Sequence, residues 1–181
     1  MFSNTCFFMK LHISFNNFKL RHICVFSIKK LMDSKKNLVL LGMMASGKST
    51  IGALLSKKLG FKFCDIDKII EKEMQMTVAD IFSQKGEPFF RSVEEKIVLK
   101  ALQNKRSIIS LGGGAFFNDK IRKEIIMNHV SFWLNWSSKT LLNRIRKSAK
   151  RPIANKLSNK ELIDLIYKRK RIYTKAKFKI N

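Results

Sequence analysis

Residues 37–60 read NLVLLGMMASGKSTIGALLSKKLG, and this stretch restricts the possible folds more than any other. It opens with a short apolar run, Leu38-Val39-Leu40-Leu41, of the length of a buried parallel strand. Gly42 breaks the run. From Gly42 to Ser49 the residues fit G-x-x-x-x-G-K-[ST] at every fixed position. Behind the motif, Ile51, Leu54, Leu55 and Leu59 recur at helical spacing, and Gly60 stands where a helix C-cap falls. Four fixed positions coincide by accident in on the order of one chain per hundred, but strand, glycine loop and helix in that order supply the context that confirms the motif. Backbone N–H groups of such a loop turn inward around a phosphate, and the helix N-terminus adds partial positive charge. Met44, Ala45, Ser46, Gly47, Lys48, Ser49 and Thr50 are therefore expected to cradle nucleotide phosphates. Lys48, expected on an exposed loop, would reach the β- and γ-phosphates, and the Ser49 hydroxyl would ligate Mg2+.

A chain of 181 residues is expected to form one domain around a proper core. Its net charge of +24 raises the question of a polyanionic partner. The Lys and Arg residues are scattered, however, densest near Tyr167–Lys179, without an RNA-binding signature or interleaved aromatic and basic residues. The reading adopted is a lysine-biased composition with no specific nucleic-acid partner. Cys6, Cys24 and Cys64 are odd in number and lack C-x-x-C spacing, so neither a disulfide framework nor a zinc site is indicated. No apolar run approaches the ~18 residues of a membrane span. Residues 1–36 are set apart: Lys10, Lys19, Arg21, Lys29, Lys30, Lys35 and Lys36 face one acid, Asp33. They read as an extension outside the fold, with a cytoplasmic working protein starting at Met32; organellar targeting by residues 1–31 is the alternative.

Further along, a second strand is expected at Phe61–Cys64, followed by Asp65-Ile66-Asp67. Two carboxylates there either serve a ligand at the strand's C-terminal end or favour a helix N-terminus. Helices are expected at Lys68–Met74, at Val78–Lys85 (capped by Thr77, ended by Gly86), and from Phe89 to about Gln103 with Pro88 in its first turn. Arg91 and Glu94, at i and i+3, share one face of the last, as a surface ion pair or as part of a site. Strand Ser107–Leu111 runs into Gly112-Gly113-Gly114, which either admits close approach of a ligand or is a flexible turn. Asn118 caps a helix to Met127, strand Val130–Asn135 follows, and Ser137 starts a helix carrying Leu141, Leu142 and Arg144. Polar Lys147–Leu157, with Pro152, reads as a lid. Ser158 and Glu161 form a capping box for a helix to about Lys175, before a last strand at Lys177–Ile180. The alternation predicts an α/β fold with a five-stranded parallel sheet covered on both faces.

From about Lys36 onward the sequence resembles the shikimate kinases. The motifs are GMMASGKST, the DID after strand two, VADIFSQKGEPFFRSVEE, SLGGG, the Arg151-Pro152 lid, and a late Arg with Tyr. The resemblance implies the nucleoside-monophosphate-kinase form of the P-loop NTPase fold. It also implies transfer of the γ-phosphoryl of ATP to the 3-hydroxyl of shikimate, with Mg2+, on the route to chorismate and the aromatic amino acids. By that resemblance Lys48, Asp67 and Arg151 are catalytic, and Ser49 and Asp65 serve the metal, Asp65 through water. Asp67, Arg91, Gly112, Gly113, Gly114 and Arg169 bind shikimate, with Glu94 holding Arg91. Arg151 closes from the lid onto the γ-phosphate, and Arg144 lies against adenine. A monomer is implied as well.

Two departures qualify this. The lid has Ile153-Ala154 where the family usually has two leucines, and the chain stops at Asn181 without the family's adenine-contacting loop and final helix. Residues 37–181 are thus expected to be a C-terminally truncated shikimate kinase domain. Two alternatives stand beside the kinase: a kinase-like binding or regulatory module without turnover, and a P-loop kinase for another polyol acid such as gluconate.

Overall fold

All four residues of β1 (Leu38–Leu41) are buried, as a central parallel strand with helices on both faces requires. Their side chains alternate. Leu38 and Leu40 join Phe61, Ile108, Val130 and Phe132 on one face, while Val39 and Leu41 enter a larger cluster with Ile66, Ile97, Ile109 and Trp133 on the other. That is the period of two that a pleated strand dictates. A computed structural model of the chain describes residues 36–147 and 157–181. The expected extension up to residue 35, Arg151 and most of the expected lid lie outside the described residues.

The other strands are β2 (Lys62–Asp65), β3 (Ser107–Ser110), β4 (Val130–Leu134) and β5 (Phe178–Ile180). They form one parallel sheet in the order β2-β3-β1-β4-β5. In register, Asp65 lies opposite Ser110, which lies opposite Leu40, so three strands end level. The chain runs from β1 to β2 and β3 on one side and then crosses to β4 on the other, which makes this the switch point where open α/β sheets bind ligands.

Among the described residues six α-helices accompany the strands: α1 (Lys48–Leu59), α2 (Ile66–Met74), α3 (Val78–Leu102), α4 (Asp119–Asn128), α5 (Ser138–Arg146) and α6 (Asn159–Tyr173). Ile51, Leu55 and Leu59 of α1 pack on the first cluster, and Gly52 lets the helix press onto the ring of Phe63, where any Cβ would collide. Gly60 ends the helix in the left-handed conformation (φ 65°). The two helices expected on either side of Gly86 are present, meeting within Val78–Leu102 at a kink where Gly86 has φ 80° and ψ 168°. Only glycine adopts such a backbone readily, and Pro88 resumes the helix. β2 sits one residue later than expected, and α2 starts at Ile66 rather than Lys68. Asp65 therefore closes the strand, and Asp67 stands in the first helical turn.

At the opposite end of the sheet Asn37 is fully buried. Its Nδ2 donates to the carbonyls of Leu102 (2.8 Å) and Asn104 (2.6 Å), and its Oδ1 accepts from the Ser107 amide (3.0 Å). One side chain thereby ties the start of β1 to the α3–β3 connection.

Candidate active site

The glycine loop turns through alternating backbone hands. Gly42, Ala45 and Gly47 have φ of 147°, 61° and 92°, and the Ser46 amide closes a turn onto the Met43 carbonyl (3.2 Å). Left-handed residues on both sides of Ser46 curve successive N–H groups toward one side, the arrangement of an anion nest. Lys48 is not on an exposed loop. It is the first residue of α1 and only 8% exposed, with Nζ donating to the carbonyls of Gly42 (2.9 Å) and Met43 (3.0 Å). Its ammonium thus spans the mouth of the loop, while Ser49 and Thr50 are exposed.

Helix capping singles out the same region. Thr77, Asn118, Ser137 and Ser158 each cap their helix with a side-chain oxygen, Ser158 with a full capping box. Gly47 and Asp65, at the starts of α1 and α2, make no such bond. The two helices whose N-termini meet the level strand ends keep their first amides clear of side-chain caps.

Across from the loop, Gly112, Gly113 and Gly114 follow β3 and form a wall without side chains. A methyl group at Gly112 would lie 2.5 Å from Glu94 Oε1 and 2.9 Å from Asp67 Oδ1. At Gly113 it would lie 2.7 Å from Arg169 Nη1 and 3.7 Å from the Met44 amide nitrogen, and at Gly114 2.5 Å from Arg91 Nη2. Asp67, Arg91 and Arg169, carried by α2, α3 and α6, thus converge on three consecutive residues that also border the phosphate loop. Arg91 is held from both sides. Its Nη1 meets Glu94 Oε2 at 2.6 Å and its Nη2 meets Glu87 Oε1 at 2.9 Å.

Glu94 is 2% exposed. Burial pushes its carboxyl above the ordinary range, Arg91 opposes this, and the Asp67 carboxylate reinforces it. Burial also pulls the Arg91 guanidinium down, but Glu94 and Glu87 outweigh it and the net direction is up. For Arg169 burial prevails, helped by the Arg91 cation, and its value is lowered. Arg91 and Arg169 supply guanidinium donors suited to a small anion, and the Asp67 carboxylate supplies an acceptor suited to hydroxyls.

Three residues in the site carry structure that the sequence reading did not assign. Glu87 is the second partner of Arg91, and its i,i+4 spacing was there to be seen. Tyr173 is buried, and its hydroxyl sits 2.5 Å from the Gly113 carbonyl and 3.2 Å from that of Gly42, tying the glycine wall to the phosphate loop. Trp136 donates from Nε1 to the Ser46 carbonyl (3.0 Å) and lies under the Arg144 guanidinium, 4.1 Å from ring centroid to Cζ.

For a divalent cation, the donor chemistry fits magnesium. Ser49 and Asp65 offer hard oxygens, and the described residues contain no group of three His, Cys, Asp or Glu able to hold a metal by themselves. Mg2+ takes most of its ligands from water and phosphates, so a hydroxyl and one carboxylate suffice.

Strand order, glycine loop and the uncapped start of α1 define the class: a P-loop NTPase fold of the small-kinase type. Deoxyadenosine kinase from M. mycoides with bound dATP shares this fold alone (TM-score 0.55, 19% identity). The family model described as shikimate kinase matches residues 44–181. A shikimate kinase of Persephonella marina is 39% identical over 146 residues, covering 81% of this chain and 88% of its own length. That of Bacillus subtilis is 40% identical over 152 residues, covering 81% and 80%. Among solved structures, shikimate kinase from Acinetobacter baumannii in complex with shikimate superposes with a TM-score of 0.77 at 28% identity, covering 84% of this chain and 86% of that one. The chain belongs to the shikimate kinase family.

Proposed function

We propose that the protein transfers the γ-phosphoryl of ATP to the 3-hydroxyl of shikimate, giving shikimate 3-phosphate and ADP. The observation that carries this reading is the glycine wall, onto which Asp67, Arg91 and Arg169 converge beside the phosphate loop. Residues 44–50 hold the phosphates through backbone amides, and Lys48 brings its charge to the β- and γ-phosphates. Arg91 and Arg169 take the shikimate carboxylate. Asp67 accepts hydrogen bonds from the ring hydroxyls and receives the proton of the 3-hydroxyl as that oxygen attacks phosphorus. Gly112, Gly113 and Gly114 let the ring lie against backbone. Arg144 serves the adenine, and Arg151 the γ-phosphate, the latter on its Arg-Pro motif alone.

Ser49, and Asp65 through water, would hold Mg2+, which supplies charge neutralisation at the phosphates when bound. Phosphoryl transfer depends mainly on positioning and on positive charge around the moving group. Among the described residues no helix is long and apolar enough to cross a membrane, and the reading is of a cytoplasmic monomer. The test is ADP release from MgATP with and without shikimate. Shikimate-dependent release is expected; release that shikimate leaves unchanged but gluconate stimulates would overturn the substrate, and binding of both ligands without release would leave a non-catalytic module.

A further inference from the structure

Trp136 lies outside the phosphate-loop motif, beyond the end of β4, yet its indole N–H reaches the Ser46 carbonyl at 3.0 Å. In a planar trans peptide the carbonyl oxygen and the following N–H point in opposite directions. Holding the Ser46 oxygen outward, toward Trp136, therefore turns the Gly47 N–H toward the inside of the loop. Gly47 is the residue at that peptide with the least resistance to rotation, since it sits at φ 92° with no Cβ. An Oγ on Ser46 gives no help, because that atom is buried without a hydrogen-bond partner.

The indole is itself well anchored. It packs on the small cluster of Met43, Leu141 and Ile166, and it carries the Arg144 guanidinium on its face at 4.1 Å, a distance at which a cation and an indole attract each other. Arg144 is otherwise an exposed side chain at the end of α5. Trp136 thus links this cation to the phosphate loop through one hydrogen bond and one ring contact.

We infer that Trp136 is a positioning residue for the nucleotide, fixing the Gly47 amide toward the phosphates and presenting Arg144 on the adenine side. This deepens the kinase reading and rests on its nucleotide half only. The two functions of the indole separate chemically. Trp136→Phe removes the N–H donor and keeps an aromatic face for the arginine. Arg144→Ala removes the cation and keeps the donor.

The experiment is calorimetric titration of the full chain with inorganic tripolyphosphate, with a non-hydrolysable ATP analogue and with shikimate, each variant's melting temperature being recorded alongside. For Trp136→Phe, affinities for tripolyphosphate and for the ATP analogue should both fall by about fivefold, the worth of one neutral hydrogen bond, with shikimate affinity unchanged and the melting temperature lowered by no more than about 2–4 °C. For Arg144→Ala, the ATP analogue should weaken more than tripolyphosphate. Unchanged tripolyphosphate affinity in Trp136→Phe overturns the inference. So does a parallel loss for every ligand with a lowered melting temperature, which marks a merely structural tryptophan. Should the unaltered chain fail to bind shikimate, the substrate assignment falls while the tripolyphosphate comparison still decides the role of Trp136.

Discussion

Replacing Gly114 by alanine separates space from backbone strain. Its φ of −104° and ψ of −16° are open to any residue, so the added methyl group introduces no conformational penalty. What it meets is Arg91, with Nη2 at 2.5 Å, Nη1 at 2.6 Å and Cζ at 2.7 Å. Non-bonded carbon contacts settle near 3.5 Å, so the guanidinium has to retreat by about 1 Å. All three atoms are struck at once, and a rotation within the guanidinium plane relieves none of them. A retreat of that size takes Nη1 out of its 2.6 Å bond to Glu94. It also moves the group away from the glycine wall, where the carboxylate of the substrate is proposed to sit.

Hydrogen bonds to charged groups contribute about 1.5–3 kcal/mol, so shikimate affinity should fall about 10- to 100-fold. ATP affinity should stay within about twofold, since Arg91 lies on α3, away from the loop between β1 and α1. Calorimetric titration with shikimate and with a non-hydrolysable ATP analogue measures both. Shikimate affinity equal to that of the unaltered protein would refute the placement of the carboxylate, and equal losses for both ligands would mean a general disturbance.

Gly60→Ala is the complementary case: nothing lies within 4 Å of its methyl position, but φ is 65°. A cost of about 1 kcal/mol should lower the melting temperature by about 2–4 °C and leave the kinetics unaltered. Lys48→Ala should cut turnover by about 100-fold or more. Because the lost ammonium bridges two loop carbonyls, it should also lower the melting temperature, which differential scanning calorimetry would register. Tyr173 is 2% exposed, and burial pushes its hydroxyl up to about 12. The folded state therefore keeps a proton that the unfolded chain releases from about pH 10, so stability should fall between about pH 10 and 12. Denaturant titrations across that range should show this component missing in Tyr173→Phe.

Much of this architecture is legible one residue at a time. Thr77, Asn118, Ser137 and Ser158 mark helix starts because capping is a local bond between near neighbours, and the pattern of residues 37–60 declares its strand, loop and helix. Arg91 and Glu94 were paired by helix geometry alone. Boundaries at Asp65 were harder, since an acid is equally at home at a strand's end and before a helix. The burial of Lys48 follows from how its own loop folds back, which no spacing rule conveys. Trp136 and Tyr173 were illegible for a different reason. Their partners, Ser46 and the carbonyls of Gly42 and Gly113, are 60 to 131 residues away in the chain, and a bond to a backbone carbonyl leaves no trace in the partner's side chain.

Asn37 holds the far end of the sheet with three hydrogen bonds to main-chain groups of Leu102, Asn104 and Ser107. Among the described residues, the groups that converge on the glycine wall and the phosphate loop lie at the other end of the same sheet. The molecule therefore has two independently adjustable ends. A lineage moving to a warmer or colder habitat can tighten or relax this knot, and so reset its melting point, without revising the chemistry opposite. The same separation offers a route for engineering heat tolerance that leaves substrate affinity alone.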